Sequence, residues 1–362
     1  MRLERLWLTD FRSYQVADLA PAPEGLTVVS GANGEGKTNL LEAVGYLATL
    51  RSFRGAPGEA LIRVGASQAV VRAEVDRDGR RLLIEAELRP TGRDRVQVNR
   101  QPLRRARDLL GSLQVTVFSP DDLMLVKGGP SARREYLDGL LVALHPRHDA
   151  TQSEVDRVLR QRNALLRQAG GRPTPELVAT LDVWDAKLAA AGETLVAARA
   201  GLAAALSPVA STTYERVSGS SPPCRDGIRL AYQRSWEGTL ADALARARPD
   251  DLRRGVSTVG PHRDELGAWI GDMPARTHSS QGEQRSLALA LRLAGHSVVT
   301  ARLETPPVLL LDDVFSELDQ DRSAALLAAL PEGQALLTTA SVLPPGAAPA
   351  VVVHVDGGKV LS

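Results

Sequence analysis

Eight residues near the amino end, Gly31-Ala32-Asn33-Gly34-Glu35-Gly36-Lys37-Thr38, constrain this chain more than any other stretch. They follow a short apolar run, Leu26–Val29, and open a helical pattern over Lys37–Leu50. Glycines at this spacing let the backbone curl until several N–H groups point inward, and the following helix turns its positive end to the same place. G-x-x-x-x-G-K-[ST] between a strand and a helix is a phosphate cradle; a glycine-rich turn of no further use fits that context poorly. Lys37 would reach the β- and γ-phosphates of ATP and the Thr38 hydroxyl would ligate Mg2+. A site of this kind needs a second apolar strand that ends in acid. Val308-Leu309-Leu310-Leu311-Asp312-Asp313 supplies it far downstream. Asp312 would complete the Mg2+ shell, and Asp313 stands where a general base polarises the attacking water.

Composition removes several classes. With 44 Lys plus Arg against 43 Asp plus Glu, the net charge is +1, so any nucleic-acid surface must come from local clustering. Aromatic residues at 4% disfavour a platform of stacked bases. One cysteine, Cys224, cannot build an intrachain disulfide, a Cys-based zinc site or an iron–sulfur cluster, and reads as inert. The opening MRLERLWLTDFRSY interleaves charge too densely for a signal peptide, and Ala335–Val353 is broken by Pro344, Pro345 and Pro349. The expectation is a soluble, cytoplasmic protein without a membrane partner. One cluster does stand out: Arg89, Arg93, Arg95, Arg100, Arg104, Arg105 and Arg107 share their stretch with a single acid, Asp94. Arg51, Arg54 and Arg63 lie nearby in sequence. Such a run is either solvated surface or a contact for DNA phosphates with counterion release.

Along the chain, Leu6 and Leu8 alternate with polar residues as in a strand, and Ala69–Val75, Leu82–Leu88, Arg95–Val98 and Gln114–Phe118 read as further strands. A helical region runs from about Ser131 to Val217. Leu177, Leu181, Trp184, Leu188, Ala191, Leu195, Ala198, Leu202 and Ala205 follow the alternating spacing of a coiled-coil seam. Gly170-Gly171 with Pro173 and Pro175 supplies a turn to an upstream partner face at Val155, Leu159, Leu165 and Leu166. A hairpin packed on a domain and a short protruding arm fit equally well. Beyond a loop at Ser218–Pro223 come a long helix from near Gly282, the strand ending at Asp312, a helix over Gln320–Leu330, a strand Ala335–Thr339 and a hairpin pointed by Gly357-Gly358. The expected fold is α/β, with β and helical segments inserted between its two ends. Boundaries are expected at residues 1–120, 121–255 and 256–362.

Ser279-Ser280-Gln281-Gly282-Glu283-Gln284 and Phe315-Ser316-Glu317-Leu318-Asp319 resemble the signature motif and D-loop of ABC-type ATPases. The resemblance implies that Ser280, Gly282 and Glu283 of one subunit cap the γ-phosphate held by another, with Asp319 in the D-loop. One phosphate loop and one signature per chain then imply an ATP-dependent homodimer. Transporter subunits place the signature about a hundred residues after the phosphate loop; here the gap is more than twice that. Leu6-x-Leu8-x-x-Phe11-Arg12-Ser13-Tyr14 resembles the first strand of the SMC-type ATPases. Arg12 there reads either as a nucleotide contact or as an ordinary surface arginine.

Together with Ser119-Pro120-Asp121-Asp122-Leu123, Gly129–Asp138, Arg160–Leu166, Trp184-Asp185 and Gly260-Pro261-His262-Arg263-Asp264-Glu265-Leu266, these features resemble the RecF family over essentially the whole chain. That resemblance implies an ABC-type P-loop ATPase head with an inserted antiparallel β lobe and a helical arm domain, SMC-like without the long coiled coil. It implies an ATP-dependent mediator at gapped or junction DNA that works with RecO and RecR to load the RecA recombinase in repair and SOS induction. It also weights the arginine cluster toward DNA contact, positioning the protein by shape rather than base. Structural packing is the expected role of His262 and Arg263. Two departures stand out. Asp313 replaces the longer Glu of most ABC ATPases, which implies slow hydrolysis; the family resemblance implies that DNA stimulates it weakly. Thr338-Thr339-Ala340 stands where a switch histidine is expected. No Q-loop glutamine can be placed. An SMC-like structural clamp is the first alternative and a membrane-transport ATPase subunit the second.

Overall fold

The computed structural model describes residues 1–171, 173–218, 227–316 and 318–361. Most of the expected Ser218–Pro223 loop, Cys224 and Glu317 lie outside the described residues. The chain opens with β1 (Arg2–Phe11), β2 (Tyr14–Leu19), β3 (Gly25–Ser30), α1 (Lys37–Thr49), β4 (Ala69–Arg77), β5 (Arg80–Leu88), β6 (Arg95–Val98), β7 (Gln101–Pro102) and β8 (Val115–Phe118). Then follow α2 (Met124–Lys127), α3 (Pro130–Leu144), α4 (Arg147–Ala169), α5 (Pro175–Val217), β9 (Ile228–Gln233), α6 (Leu240–Arg254), β10 (Glu265–Ile270), β11 (Met273–Pro274) and α7 (Ala275–His278). It closes with α8 (Gln281–Leu303), β12 (Val308–Asp312), α9 (Gln320–Ala329), β13 (Gln334–Thr339), β14 (Pro349–Asp356) and β15 (Lys359–Leu361).

Two compact units result. The first holds the described residues of Met1–Leu123, Thr212–Pro223 and Gln281–Ser362; the second holds those of Met124–Ser211 and Cys224–Ser280. The helical unit thus reaches Ser280 rather than ending at 255. The reason is strand pairing: β10 runs antiparallel to β9, Leu266 opposite Tyr232 and Ala268 opposite Leu230, and β11 pairs with β10 in turn.

The first unit has two six-stranded sheets. One has the order β15-β14-β3-β13-β12-β8 and is parallel except for the β15 edge; the other has the order β2-β1-β4-β5-β6-β7 and is antiparallel. β12 is buried at every position, as a strand covered on both faces must be, which is why it reads as an unbroken apolar run. β4 instead alternates buried and more exposed residues, as in a sheet with one wet face. Helix α1 lies between the two sheets and is buried at every position from Leu40 to Ala48, the acid Glu42 included. Gln334 joins the sheets at their far end. Its Oε1 accepts from the Leu3 N–H at 2.7 Å, and its Nε2 donates to the carbonyls of Leu3 at 2.9 Å and Ala22 at 2.7 Å. Leu3 lies beyond the last β1–β2 pair, Leu6 with Leu19, so the glutamine amide stands in for a missing strand.

In the second unit α4 and α5 form the expected hairpin, turned at Gly170 and Gly171, both at positive φ. It packs within its unit rather than standing free. The seam differs from the sequence expectation in one way. Leu181, Leu188, Leu195 and Leu202 are buried, but their partners on the buried face are Asp185, Gly192 and Arg199 rather than Trp184, Ala191 and Ala198. Ion pairs bring the charged members inside. Arg162 of α4 is fully buried and donates to Asp185 at 2.5 Å, Asp251 at 2.6 Å and Ser257 at 2.8 Å. Arg199 forks onto Asp138 at 2.6 and 2.7 Å and donates to the Pro261 carbonyl. Gly192 is required because a Cβ there would sit 2.5 Å from Leu240 Cδ2. Helix α5 is long and apolar enough to cross a membrane by composition alone; its buried leucine face and its paired Arg199 give that composition a packing reason. His262, expected to be structural, is half-buried against the Ser257 carbonyl at 3.1 Å, and burial pulls its pKa down to about 4.

Replacing Gln334 by leucine strands the Leu3 N–H and two carbonyls in the interior. A loss of about 3 kcal/mol is expected, read by urea denaturation of Gln334→Leu against wild type.

Candidate functional site

The site lies at the carboxyl ends of β3, β12 and β13. The loop after β3 curls as the glycine pattern requires. Gly31 has φ +152°, and a Cβ there would sit 2.3 Å from the Val355 carbonyl oxygen of β14. Gly36 has φ +107°, and a Cβ there would strike Ser13 Oγ at 2.6 Å and Tyr14. Ala32 and Asn33 continue the curl, and Gly34 has open space where a Cβ would be. The Glu35 carboxylate accepts from the Gly357 N–H at the tip of the β14–β15 hairpin. Tyr14 OH donates to the Gly36 carbonyl at 3.1 Å. The loop is therefore walled by the β1–β2 turn and the carboxyl-terminal hairpin.

Lys37 is 7% exposed, and its ammonium donates to the Gly31 carbonyl at 2.9 Å and the Ala32 carbonyl at 2.7 Å. Thr38 Oγ1 donates to Asp312 Oδ1 at 2.7 Å. The structure thus joins the two sequence motifs directly, because β13 is the one strand between β3 and β12. The same Asp312 oxygen accepts from Thr338 Oγ1, also at 2.7 Å. Burial raises the Asp312 carboxyl pKa, while the Thr38 and Thr338 hydroxyls and the Arg54 cation oppose the rise. A hydroxyl and a buried carboxylate oxygen in contact form a hard-oxygen pair that fits Mg2+. The glycine curl and Lys37 fit phosphate.

Asp313 follows at φ +50°, its N–H donating to Thr338 Oγ1 at 3.0 Å. It lines a narrow cleft with Ser119, Asp122, Arg285 and Leu318. Asp122 accepts from the Ser119 N–H at 3.0 Å and from Arg292 of α8 at 2.6 and 2.9 Å, which fixes the end of β8 beside Asp313.

Arg12 has a place that neither sequence reading named. Its guanidinium forks onto Glu42 of α1 at 2.7 Å on each oxygen and donates to the Ala60 carbonyl. Glu42 is fully buried and also accepts from Ser52 Oγ at 2.5 Å. Arg12 is not brought against Lys37, Thr38 or Asp312; it neutralises the helix that carries the first two. Two residues escaped the sequence reading. Thr338 was noted there only as the place of a missing histidine. Arg54 was counted with the nearby arginines, and no local pattern tied it to Asp312.

Of the signature residues, Ser280 precedes α8, and Gly282 and Glu283 open it. A Cβ on Gly282 would lie 2.5 Å from Arg322 Nη2, so Arg322 of α9 covers that glycine. Asp319 caps α9 by accepting from the Arg322 N–H at 2.8 Å. In the arginine cluster, Arg93, Arg95, Arg100, Arg104, Arg105 and Arg107 are exposed and Arg89 is half-buried. Arg89 pairs with Glu87, and Arg105 with Asp108 at 3.1 Å. Asn99 and Arg100, both at positive φ, form the tight turn from β6 to β7, so the cluster lies along the outer edge of the antiparallel sheet.

A parallel sheet with a phosphate loop after β3, an acid-ended β12 one strand away, an antiparallel lobe over α1 and an inserted helical unit define an ABC-type ATPase head of the SMC kind. The family described as the RecF/RecN/SMC N terminal domain matches residues 2–340. The DNA replication and repair protein RecF of Streptomyces avermitilis is 44% identical over 358 residues, 94% of each chain. That of Beutenbergia cavernae is 43% identical over 396 residues, 100% of this chain and 99% of the relative. This chain belongs to the RecF family. A solved structure of the recombination mediator protein RecF-ATP in the RecFOR pathway superimposes with a TM-score of 0.89 at 28% identity, covering 99% of this chain and 96% of that one. An SMC head bound to the C-winged helix domain of ScpA shares the fold, with a TM-score of 0.59 at 18% identity over 100% of this chain and 96% of that one.

The Arg12–Glu42 pair gives a direct test. Arg12→Met leaves a buried carboxylate unpaired and should cost about 3 kcal/mol in chemical denaturation; Arg12→Met with Glu42→Leu should recover most of it. A single variant as stable as wild type would remove the pair from its assigned role.

Proposed function

We propose that this chain is an ATP-dependent, DNA-binding recombination mediator that hydrolyses ATP slowly and acts as a homodimer. The Thr38–Asp312 hydrogen bond carries the reading, because it brings a phosphate loop and a metal-binding acid to one point. Lys37 and the inward N–H groups of the loop hold the β- and γ-phosphates, and Arg54 adds a cation on the Asp312 side. Mg2+ held by Thr38 and Asp312 would supply charge neutralisation on the phosphates. Asp313, its backbone pinned to Thr338, orients the attacking water and accepts its proton at the carboxylate. Its side chain is one methylene shorter than the more usual glutamate, which favours slow turnover; a rapid steady-state rate would contradict this.

Ser280 and Gly282, with Glu283 beside them, act in trans on the phosphates held by a second copy, with Asp319 in the D-loop between. The exposed arginines from Arg93 to Arg107 take DNA phosphates without reading bases, which suits single-strand/duplex junctions and gaps. Kinship with RecF proteins extends the reading to RecO and RecR as partners and RecA as the recombinase loaded, within the cytoplasm.

Two measurements test this. The mass in solution with Mg2+ and ATP, with and without gapped duplex, should double for wild type and stay monomeric for Ser280→Arg. A wild-type monomer under all conditions would sink the paired-subunit reading. Thr338→Val removes a hydroxyl that lowers the Asp312 pKa. The carboxyl pKa must then rise, and the acidic limb of the ATPase pH profile should move to higher pH. Thr338→Ser should track wild type.

A further inference from the structure

The arginine run has one acid, and that acid pairs with none of the arginines. Among the described residues no ion pair joins Asp94 to a guanidinium. Its Oδ2 accepts from the Tyr46 hydroxyl at 3.0 Å and its Oδ1 from the Arg89 backbone N–H at 3.1 Å. Tyr46 is 4% exposed and belongs to α1, the helix whose first residue is Lys37. It lies about 13 Å along the axis from Lys37. Its ring is part of the core between the sheets, and its hydroxyl emerges under the β5–β6 connection. Burial and the neighbouring carboxylate raise the phenol's pKa, so the hydroxyl stays a donor. Asp94 in turn sits between Arg93 and Arg95, both exposed and without an ion pair among the described residues. One hydrogen bond therefore connects the phosphate-loop helix to the segment that presents two free cations.

We propose that Tyr46 and Asp94 are positioning residues that couple the two ligands of this chain: α1, set by phosphates at its amino end, fixes through Tyr46–Asp94 where Arg93 and Arg95 stand for a nucleic-acid backbone. The proposal rests on the ATP and DNA reading above. Neither residue touches a ligand. An α-helix packed on all sides shifts as a body, and the loop follows because leaving a buried phenol hydroxyl unpaired is unfavourable. Linkage makes the effect reciprocal: ATP tightens DNA binding and DNA tightens ATP binding by the same factor.

The test is the affinity of the full chain for fluorescent gapped duplex at one fixed salt concentration, with and without Mg2+ and ATP. Wild type should bind at least about fivefold tighter with nucleotide. Tyr46→Phe keeps the ring and removes the hydroxyl; the nucleotide-dependent gain should fall below about twofold while the nucleotide-free affinity stays near wild type. Asp94→Ala, at an exposed position, serves as a second variant should Tyr46→Phe fold poorly. Loss of a negative charge should strengthen its nucleotide-free binding, yet its gain should fall in the same way. A merely structural role would lower stability without changing that ratio. A wild-type ratio of one, or wild-type ratios in the folded variants, would overturn the proposal. Arg93→Gln with Arg95→Gln separates the two readings: weaker DNA binding supports the arginine surface even where coupling fails, and undiminished binding refutes the surface itself.

Discussion

Helix α1 has no face turned to water, and much of the first unit follows from that. A helix normally shows solvent a polar stripe. Covering this one on all sides takes a sheet above and a sheet below, so the antiparallel lobe is a structural requirement of the phosphate site. The one acid buried mid-helix, Glu42, must then be neutralised from outside, which Arg12 does while the Ser52 hydroxyl donates a further hydrogen bond. The positive end of the helix dipole lies at the carboxyl edge of the parallel strands, where a phosphate is most strongly favoured.

Local pattern carried the reading of this unit a long way, because the phosphate loop and β12 are defined by short-range chemistry. Glycines at fixed offsets, a lysine and threonine at a helix start, and four apolar residues ending in two acids each need only their own neighbours to be recognised. Thr338 is different. It matters because β13 lies between β3 and β12, and strand order is not written in the strand itself. The Arg12 fork and the Arg54 field on Asp312 likewise depend on which loops come together in space. The domain boundary at 255 failed for the same reason: nothing local to Glu265–Ile270 says that its partner is Ile228–Gln233.

The helical unit shows the other limit of pattern reading. A search for apolar spacing selects Trp184, Ala191 and Ala198, whereas the buried face uses Asp185, Gly192 and Arg199. Charged residues look like surface until their partners are known. Here Arg133, Arg162 and Arg199 are each buried against carboxylates, Glu265 for Arg133, Asp185 and Asp251 for Arg162, and Asp138 for Arg199. Much of the family-specific wording with no evident chemical role, from Arg133 through Arg162 to Glu265, is this network. Buried ion pairs are weak evidence of net stability, since desolvation offsets most of the attraction. Their geometric demand is strict, and it fixes how the α4–α5 hairpin meets α6 and the 257–265 segment.

The carboxyl-terminal hairpin walls the phosphate loop, and β3 has β13 on one side and β14 on the other. During synthesis the loop emerges about three hundred residues before the first neighbour of its strand. Until residues 334–356 have left the ribosome, β3 has no strand to pair with, and the Gly31 curl has no Val355 carbonyl to close against. A long-range closure of this kind is intrinsically slow. It also sets an order of events: the nascent chain carries the complete phosphate motif well before the strands that brace it exist.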